Sequence, residues 1–109
     1  MISWDDFEKI DIRAGTIVGA AVFLKAKKPA YKLKIDFGEE GLKNSSAQIT
    51  TLYQPNELIG KQIIAVINFP PKQIADFMSE CLVLGVYNEN NDVILLQPER
   101  PIDNGFKIG

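Results

Sequence analysis

In Tyr31-Lys32-Leu33-Lys34-Ile35-Asp36-Phe37, apolar and charged residues alternate without a break. Successive side chains of a β-strand point to opposite faces, so a period of two predicts one buried face and one solvated face. Elsewhere in the chain the alternation is less regular. This segment therefore predicts a half-buried strand, and the neighbouring segments are interpreted relative to it.

Short strand-like segments occur along the whole chain, separated by turn signals. The five to seven predicted strands lie within residues 16–24, 31–37, 42–49, 61–69, 80–87 and 93–96, with a last short segment at 106–108. Residues 61–69 are almost continuously apolar, which predicts a strand buried on both faces, and Gly15 and Gly19 predict a bend or bulge. Residues 72–79 are predicted to be a connection. Many short strands with little helix are typical of a small all-β barrel.

Two short helical segments are predicted within this barrel. Ser3 followed by Asp6 has the pattern of a capping box, so a helix is expected over residues 3–9. Pro55 suits a first helical turn and Gly60 a helix end, which predicts one further turn between them.

Length and composition fit one globular domain, residues 1–109. The hydrophobic fraction of 46% and the charged fraction of 24% are ordinary for a folded protein. No apolar run approaches the ~20 residues that cross a bilayer, and the N-terminus is acidic where a signal peptide is basic. We expect a cytoplasmic protein without membrane insertion.

The usual catalytic and metal-binding residues are scarce. Histidine is absent, which excludes Ser-His and Cys-His pairs and histidine metal sites. The single cysteine, Cys81, lies in a strand-like segment and is interpreted as a buried structural thiol. Ser45 or Ser46 beside Lys43 leaves a Ser-Lys nucleophile open, supported by proximity alone. We expect no enzyme, no cofactor and no metal.

Charge is distributed unevenly along the chain. The net charge is −2, yet residues 25–43 hold six lysines against three acids, a local balance of +3. A lysine-rich segment is either a solvated surface or a nucleic-acid face, and small barrels bind nucleic acid by combining lysines with stacking side chains. The candidate binding residues are Lys27, Lys28, Lys32, Lys34 and Lys72, with Asn68 and Ser79 as neutral hydrogen-bonding groups.

Several motifs resemble the structure-specific tRNA-binding domain family. Asp11–Ile17 is similar to its DIRxGxI opening, and residues 58–63 and 66–69 are similar to its LxGKxV…VxN stretch. Ala30–Leu33 lies where the family has Ala-Asp-Lys-Leu. Residues 79–82 occupy its SxxM position, with Leu82 in place of Met, which adds Leu82 to the candidate tRNA-binding residues. The resemblance implies a five-stranded oligonucleotide-binding (OB-fold) barrel without catalytic activity.

Further segments resemble a free-standing bacterial branch of this family described as secretion-related chaperones. They are residues 6–9, 35–38, 45–49, 68–71 and 95–98. The resemblance implies a homodimer that binds unfolded preproteins, with the export ATPase SecA and tRNA as further partners. The alternative is a tRNA-binding module that acts alone or assists a synthetase. A purely structural interaction domain is a third hypothesis.

Large apolar residues cluster near both chain ends. A barrel of this length is not expected to bury all of them, so they predict a dimer interface; the alternative is that they plug the open bottom of the barrel. These residues are Trp4, Phe7, Ile10, Ile102, Phe106 and Ile108.

Overall fold

The computed structural model describes residues 1–109. Two short helices and nine strands follow one another along the chain. They are α1 (Trp4–Glu8), β1 (Ile12–Val22), β2 (Tyr31–Asp36), β3 (Leu42–Ala47), α2 (Pro55–Leu58), β4 (Gln62–Val66), β5 (Lys72–Ile74), β6 (Phe77–Ser79), β7 (Leu82–Val83), β8 (Gly85–Tyr87) and β9 (Val93–Leu95), with a 3₁₀ turn at Gly38–Glu40.

A five-stranded antiparallel sheet in the order β3-β2-β1-β4-β7 forms the barrel. Its two edges approach each other where the Glu80 amide donates to the Asn44 carbonyl at 2.8 Å. Strands β5 and β6 form one added hairpin, and β8 and β9 form another. The prediction of an all-β, five-stranded barrel with short helical turns is confirmed.

The alternating segment of β2 supplies the centre of the core. Leu33, Ile35 and Phe37 are almost completely buried, while Lys34 between them is exposed. Ile17 of β1 and Ile63 of β4 pack into the same cluster. The period of two therefore gave the correct inward face of the strand.

Strand β1 contains the predicted irregularity. Its pairing with β2 shifts register between Ile17 and Gly19, which is a bulge that bends the strand. Gly15 lies where the core is tightest, because a Cβ atom there would stand 2.7 Å from the ring of Phe37. Only glycine fits at this position without moving core side chains.

Both predicted helical turns are present, and the first has the predicted capping box. The Ser3 hydroxyl accepts from the Asp6 amide at 3.1 Å, and the Asp6 carboxylate accepts from the Ser3 amide at 3.0 Å. At α2 the Glu57 carboxylate accepts from the Gln54 amide at 2.8 Å, and Gly60 after the helix has a φ of +88°.

Three strand predictions need correction. Residues 72–79 were expected to be a connection but form the hairpin β5–β6, whose turn contains Ala75 at a φ of +53° rather than glycine. The predicted strand 80–87 is divided into β7 and β8 at Leu84. The Leu84 amide donates to the Ile64 carbonyl of β4, and the Leu84 carbonyl accepts from the Leu96 amide. The predicted strand 61–69 ends at Val66, and Ile64 is only half-buried, so burial on both faces is incomplete.

The C-terminal segment runs along the start of β1. The Ala14 amide donates to the Phe106 carbonyl at 3.0 Å, and the Ile108 amide donates to the Ile12 carbonyl at 2.8 Å. The Arg13 guanidinium adds bonds to the Asp11 carboxylate and to the Gly105 carbonyl at 2.9 Å. These contacts hold both chain ends at one pole of the barrel. None of the helices has the length and apolar character that crossing a membrane requires.

Candidate nucleic-acid interface

An aromatic pair lies where the β1–β2 loop meets the β5–β6 hairpin. The rings of Phe23 and Phe77 stand edge to face, with centroids 5.4 Å apart. The Lys32 ammonium lies 4.8 Å from the first centroid and 5.2 Å from the second. A cation over an aromatic face is stabilised by about 0.5–1 kcal/mol at an exposed site. Lys32 is thus held by the two rings and brings its charge to the base of the hairpin.

An ion pair joins the same two segments nearer their tips. The Lys25 ammonium donates to the Asp76 carboxylate at 2.8 Å. This hydrogen bond and the accompanying charge attraction raise the pKa of Lys25 and lower the pKa of Asp76. Both side chains are largely exposed, so the pair contributes little to stability. Its effect is to hold the loop and the hairpin side by side.

A basic cleft of about 600 Å³ opens between the loop and the hairpin. Four of the residues around it are lysines and none carries a carboxylate, so the local field attracts anions. Lys27, Lys28 and Lys72 are exposed and make no ion pair, which leaves them free to contact phosphates. This lysine cleft is lined by Lys25, Ala26, Lys27, Lys28, Ala30, Ser46, Gln48, Lys72, Gln73, Ile74 and Ala75.

The predicted binding residues do not all meet in the lysine cleft. Lys27, Lys28 and Lys72 line it, whereas Lys32 is outside its lining and contacts the Phe23 ring instead. Lys34 is exposed on β2 opposite Asn44 and does not line the cleft.

Ser79 and Leu82 lie around an adjoining cleft of about 370 Å³ that shares Lys72 with the first. The Ser79 hydroxyl accepts from the Ser46 amide at 3.0 Å, so it also helps close the barrel. Leu82 is half-exposed at the rim, where an apolar side chain offers contact surface but no hydrogen bond.

Asn68 lies apart from the lysines and ties down the N-terminal segment. Its side-chain oxygen accepts from the Asp11 amide at 2.9 Å, and its side-chain nitrogen donates to the Lys9 carbonyl at 2.7 Å. The amide group is therefore committed to backbone partners in the free protein.

Sequence reasoning missed Phe23, Lys25, Phe77 and Gln73. The first two lie in the loop, and the other two lie in the hairpin that was interpreted as a connection. A weak signal was present: Ile74 and Phe77 flank the pair Ala75-Asp76, the spacing of a two-residue hairpin turn, although the turn lacks the glycine that normally marks one.

Cys81 and Ser45 are structural residues of the core. Burial raises the pKa of the Cys81 thiol to about 11, and a thiol that stays protonated is a poor nucleophile. The buried Ser45 hydroxyl donates to the Cys81 carbonyl at 2.9 Å. The prediction of a buried thiol is confirmed. The Ser45 hydroxyl bonds to the Cys81 carbonyl, which lies just before β7, rather than to Lys43.

The apolar residues of the chain ends lie on the surface and do not fill the barrel. Trp4 is 85% exposed and Phe106 is 55% exposed. Phe7, beside Trp4, helps to line an apolar cleft of about 630 Å³ that Gly109 also borders. Trp4 and Phe106 therefore do not plug the barrel. We call Trp4, Phe7, Ile10, Ile102, Phe106 and Ile108 the terminal apolar surface.

A small β-barrel with a basic cleft between two loops defines the class of oligonucleotide-binding barrels. The chain belongs to the family described as a putative tRNA binding domain, whose model matches residues 12–107. That family is a binding domain rather than a catalytic one.

Two solved chaperone structures share the whole fold. Chaperone CsaA from Bacillus anthracis str. Ames is 54% identical, with a TM-score of 0.95 over 100% of this chain and 99% of that one. The CsaA chaperone protein from Picrophilus torridus is 57% identical, with a TM-score of 0.94 over 100% of both chains.

Longer relatives contain a similar segment. The methionine–tRNA ligase of Methanococcoides burtonii is 39% identical over 108 residues, which are 99% of this chain and 16% of the ligase. The chain thus spans about a sixth of the length of the curated relatives that it matches.

Proposed function

We propose that residues 1–109 act as one unit, a non-catalytic cytoplasmic chaperone of the CsaA type that binds unfolded polypeptides. The observation that carries this proposal is whole-chain similarity to two CsaA structures, each above 50% identity. Exposed apolar side chains on the barrel supply the kind of surface that a holding chaperone needs.

Light scattering tests the chaperone activity directly. A chemically denatured client is diluted into buffer with and without excess protein. We expect the protein to suppress aggregation without added nucleotide, because its role is binding. Unchanged aggregation at excess protein would contradict the proposal.

The lysine cleft supports a second function, the binding of tRNA. Lys27, Lys28 and Lys72 present unpaired positive charge in one cleft, an arrangement that suits a phosphate backbone. In this alternative the chain acts as a stand-alone tRNA-binding module or assists a synthetase. Gel retardation of tRNA at low salt tests it, and no shift at any concentration would exclude it.

We further propose that two copies pair through the terminal apolar surface. Trp4 and Phe7 form a cleft at the pole where both chain ends lie, and exposed apolar area of this kind marks interfaces. Multi-angle light scattering at micromolar concentration should give twice the monomer mass. A monomer at every concentration would exclude the dimer.

Preproteins in export are the proposed clients, with SecA as a proposed partner. Support for both is the sequence resemblance to secretion-related chaperones. Binding of a preprotein with and without its signal segment, and of purified SecA, can be compared by surface plasmon resonance. Equal binding of unrelated denatured proteins, together with no binding of SecA, would contradict the role in export and indicate a general chaperone.

A further inference from the structure

The barrel is closed at one end of β3 and open at the other. The Asn44 carbonyl accepts from Glu80, and the Ser46 amide donates to the Ser79 hydroxyl. Gln48 directly follows the last residue of β3, and continuing the alternation of Asn44 and Ser46 by one step turns its amide and carbonyl toward the same edge. Neither group of Gln48 has a hydrogen-bond partner.

An uncharged cleft of about 300 Å³ lies at this open edge, between the end of β3 and strands β7 to β9. Ile49, Val83 and Val93 form its apolar side, and Tyr87, which is 72% exposed, stands at its rim. No lysine, arginine or carboxylate lines it, in contrast to the lysine cleft. We call this cleft the open seam.

Unpaired strand-edge groups beside an apolar, uncharged wall favour one kind of ligand. An extended polypeptide adds to a sheet edge through main-chain hydrogen bonds and places alternate side chains on one face. The open seam has no lysine or arginine among its lining residues that could bind the phosphates of a nucleic acid. We infer that the open seam binds an extended apolar polypeptide segment by strand addition, with the Gln48 amide donating and its carbonyl accepting.

This inference rests on the proposed chaperone function and assigns its polypeptide-binding site to the open seam. The open seam and the lysine cleft share only Ser46 and Gln48 among their lining residues. Polypeptide and tRNA would therefore occupy neighbouring surfaces that can be disabled separately.

Fluorescence anisotropy with designed peptides tests the mode of binding. The probe is a fluorescein-labelled neutral heptapeptide in which valine and serine alternate. Two further probes carry N-methyl groups on the odd or on the even residues, which blocks one hydrogen-bonding edge at a time. We expect one methylated probe to lose at least about tenfold in affinity and the other to bind like the parent.

Variants of Gln48 test the site. Q48P removes the unpartnered amide and breaks no internal hydrogen bond, so the barrel should fold while peptide affinity falls at least about tenfold. Q48A keeps the amide and should bind normally. Tyr87→Ser serves as a second variant, since its exposed side chain does not support the core, and it too should weaken peptide binding.

Equal affinity of both methylated probes, or normal peptide binding by Q48P and Tyr87→Ser, would overturn strand addition at the open seam. If those variants still suppress client aggregation, the chaperone function stands and only its placement is wrong. If the wild-type protein neither binds the probes nor suppresses aggregation, both proposals fall. Cross-linking of an oligonucleotide to Tyr87 in competition with the peptide would also overturn it, by assigning the open seam to nucleic acid.

Discussion

Removing three charges from the lysine cleft should flatten the salt dependence of tRNA binding. The perturbation is the triple replacement of Lys27, Lys28 and Lys72 by alanine. All three are exposed and without ion pairs, so their loss leaves no buried group unpaired. Lys25 is left in place because its charge is partly neutralised by Asp76.

The size of the effect follows from counterion release. Each lost phosphate contact reduces the slope of log K against log salt by about 0.7 on single strands and about 0.9 on a duplex. Three contacts therefore reduce the slope by about 2 to 3, and at ~0.1 M salt they weaken binding by roughly 100- to 500-fold. A single replacement should give about a third of the slope change.

Anisotropy of end-labelled tRNA over a series of potassium chloride concentrations measures this slope. Lys107→Ala is the matched control. Lys107 pairs with Arg13 near the start of β1, at the other end of that strand from the loop that lines the cleft. A triple variant with the wild-type slope would show that tRNA does not use this cleft, even if it binds elsewhere.

Three further predictions concern stability and assembly. Gly15→Ala should lower the free energy of unfolding by about 1–3 kcal/mol, since its Cβ would overlap the Phe37 ring, whereas Gly19→Ala should change it much less; equal values in urea titrations would contradict the close packing. The pKa of Cys81 is raised on folding, from 9.0 to about 11, so its stabilising effect is complete below pH 9 and is lost as pH rises through 11, by about 2–3 kcal/mol. Urea titrations should show this loss relative to Cys81→Ala, and parallel pH profiles would refute it. Trp4→Asp should shift the mass in light scattering from dimer to monomer, and an unchanged dimer would place the interface elsewhere.

The central strands could be predicted because their pattern is local. Residues 31–37 alternate cleanly, and burial of Leu33 and Phe37 on one side follows from that period. The capping box at Ser3 and the bulge near Gly19 are likewise set by neighbouring residues. Such features need no knowledge of the tertiary fold.

The assembled site could not be predicted, since it depends on pairs that are distant in sequence. Phe23 and Phe77 meet only because the hairpin folds back over the β1–β2 loop. Lysines 27, 28 and 72 were named as candidates, but nothing local separates them from Lys34, which lies outside the cleft. Asn68 has the hydrogen-bonding groups expected of a ligand-binding residue, but its side chain bonds to the backbone of Asp11 and Lys9 instead.

The meeting of the two chain ends has a practical consequence. Ser3 and Gly109 border the same cleft. A short tether could join them, and fresh termini at the exposed Asn90–Asn91 turn would give a circularly permuted barrel with its core pairing intact. Cargo fused at either end of residues 1–109 would extend from that same cleft.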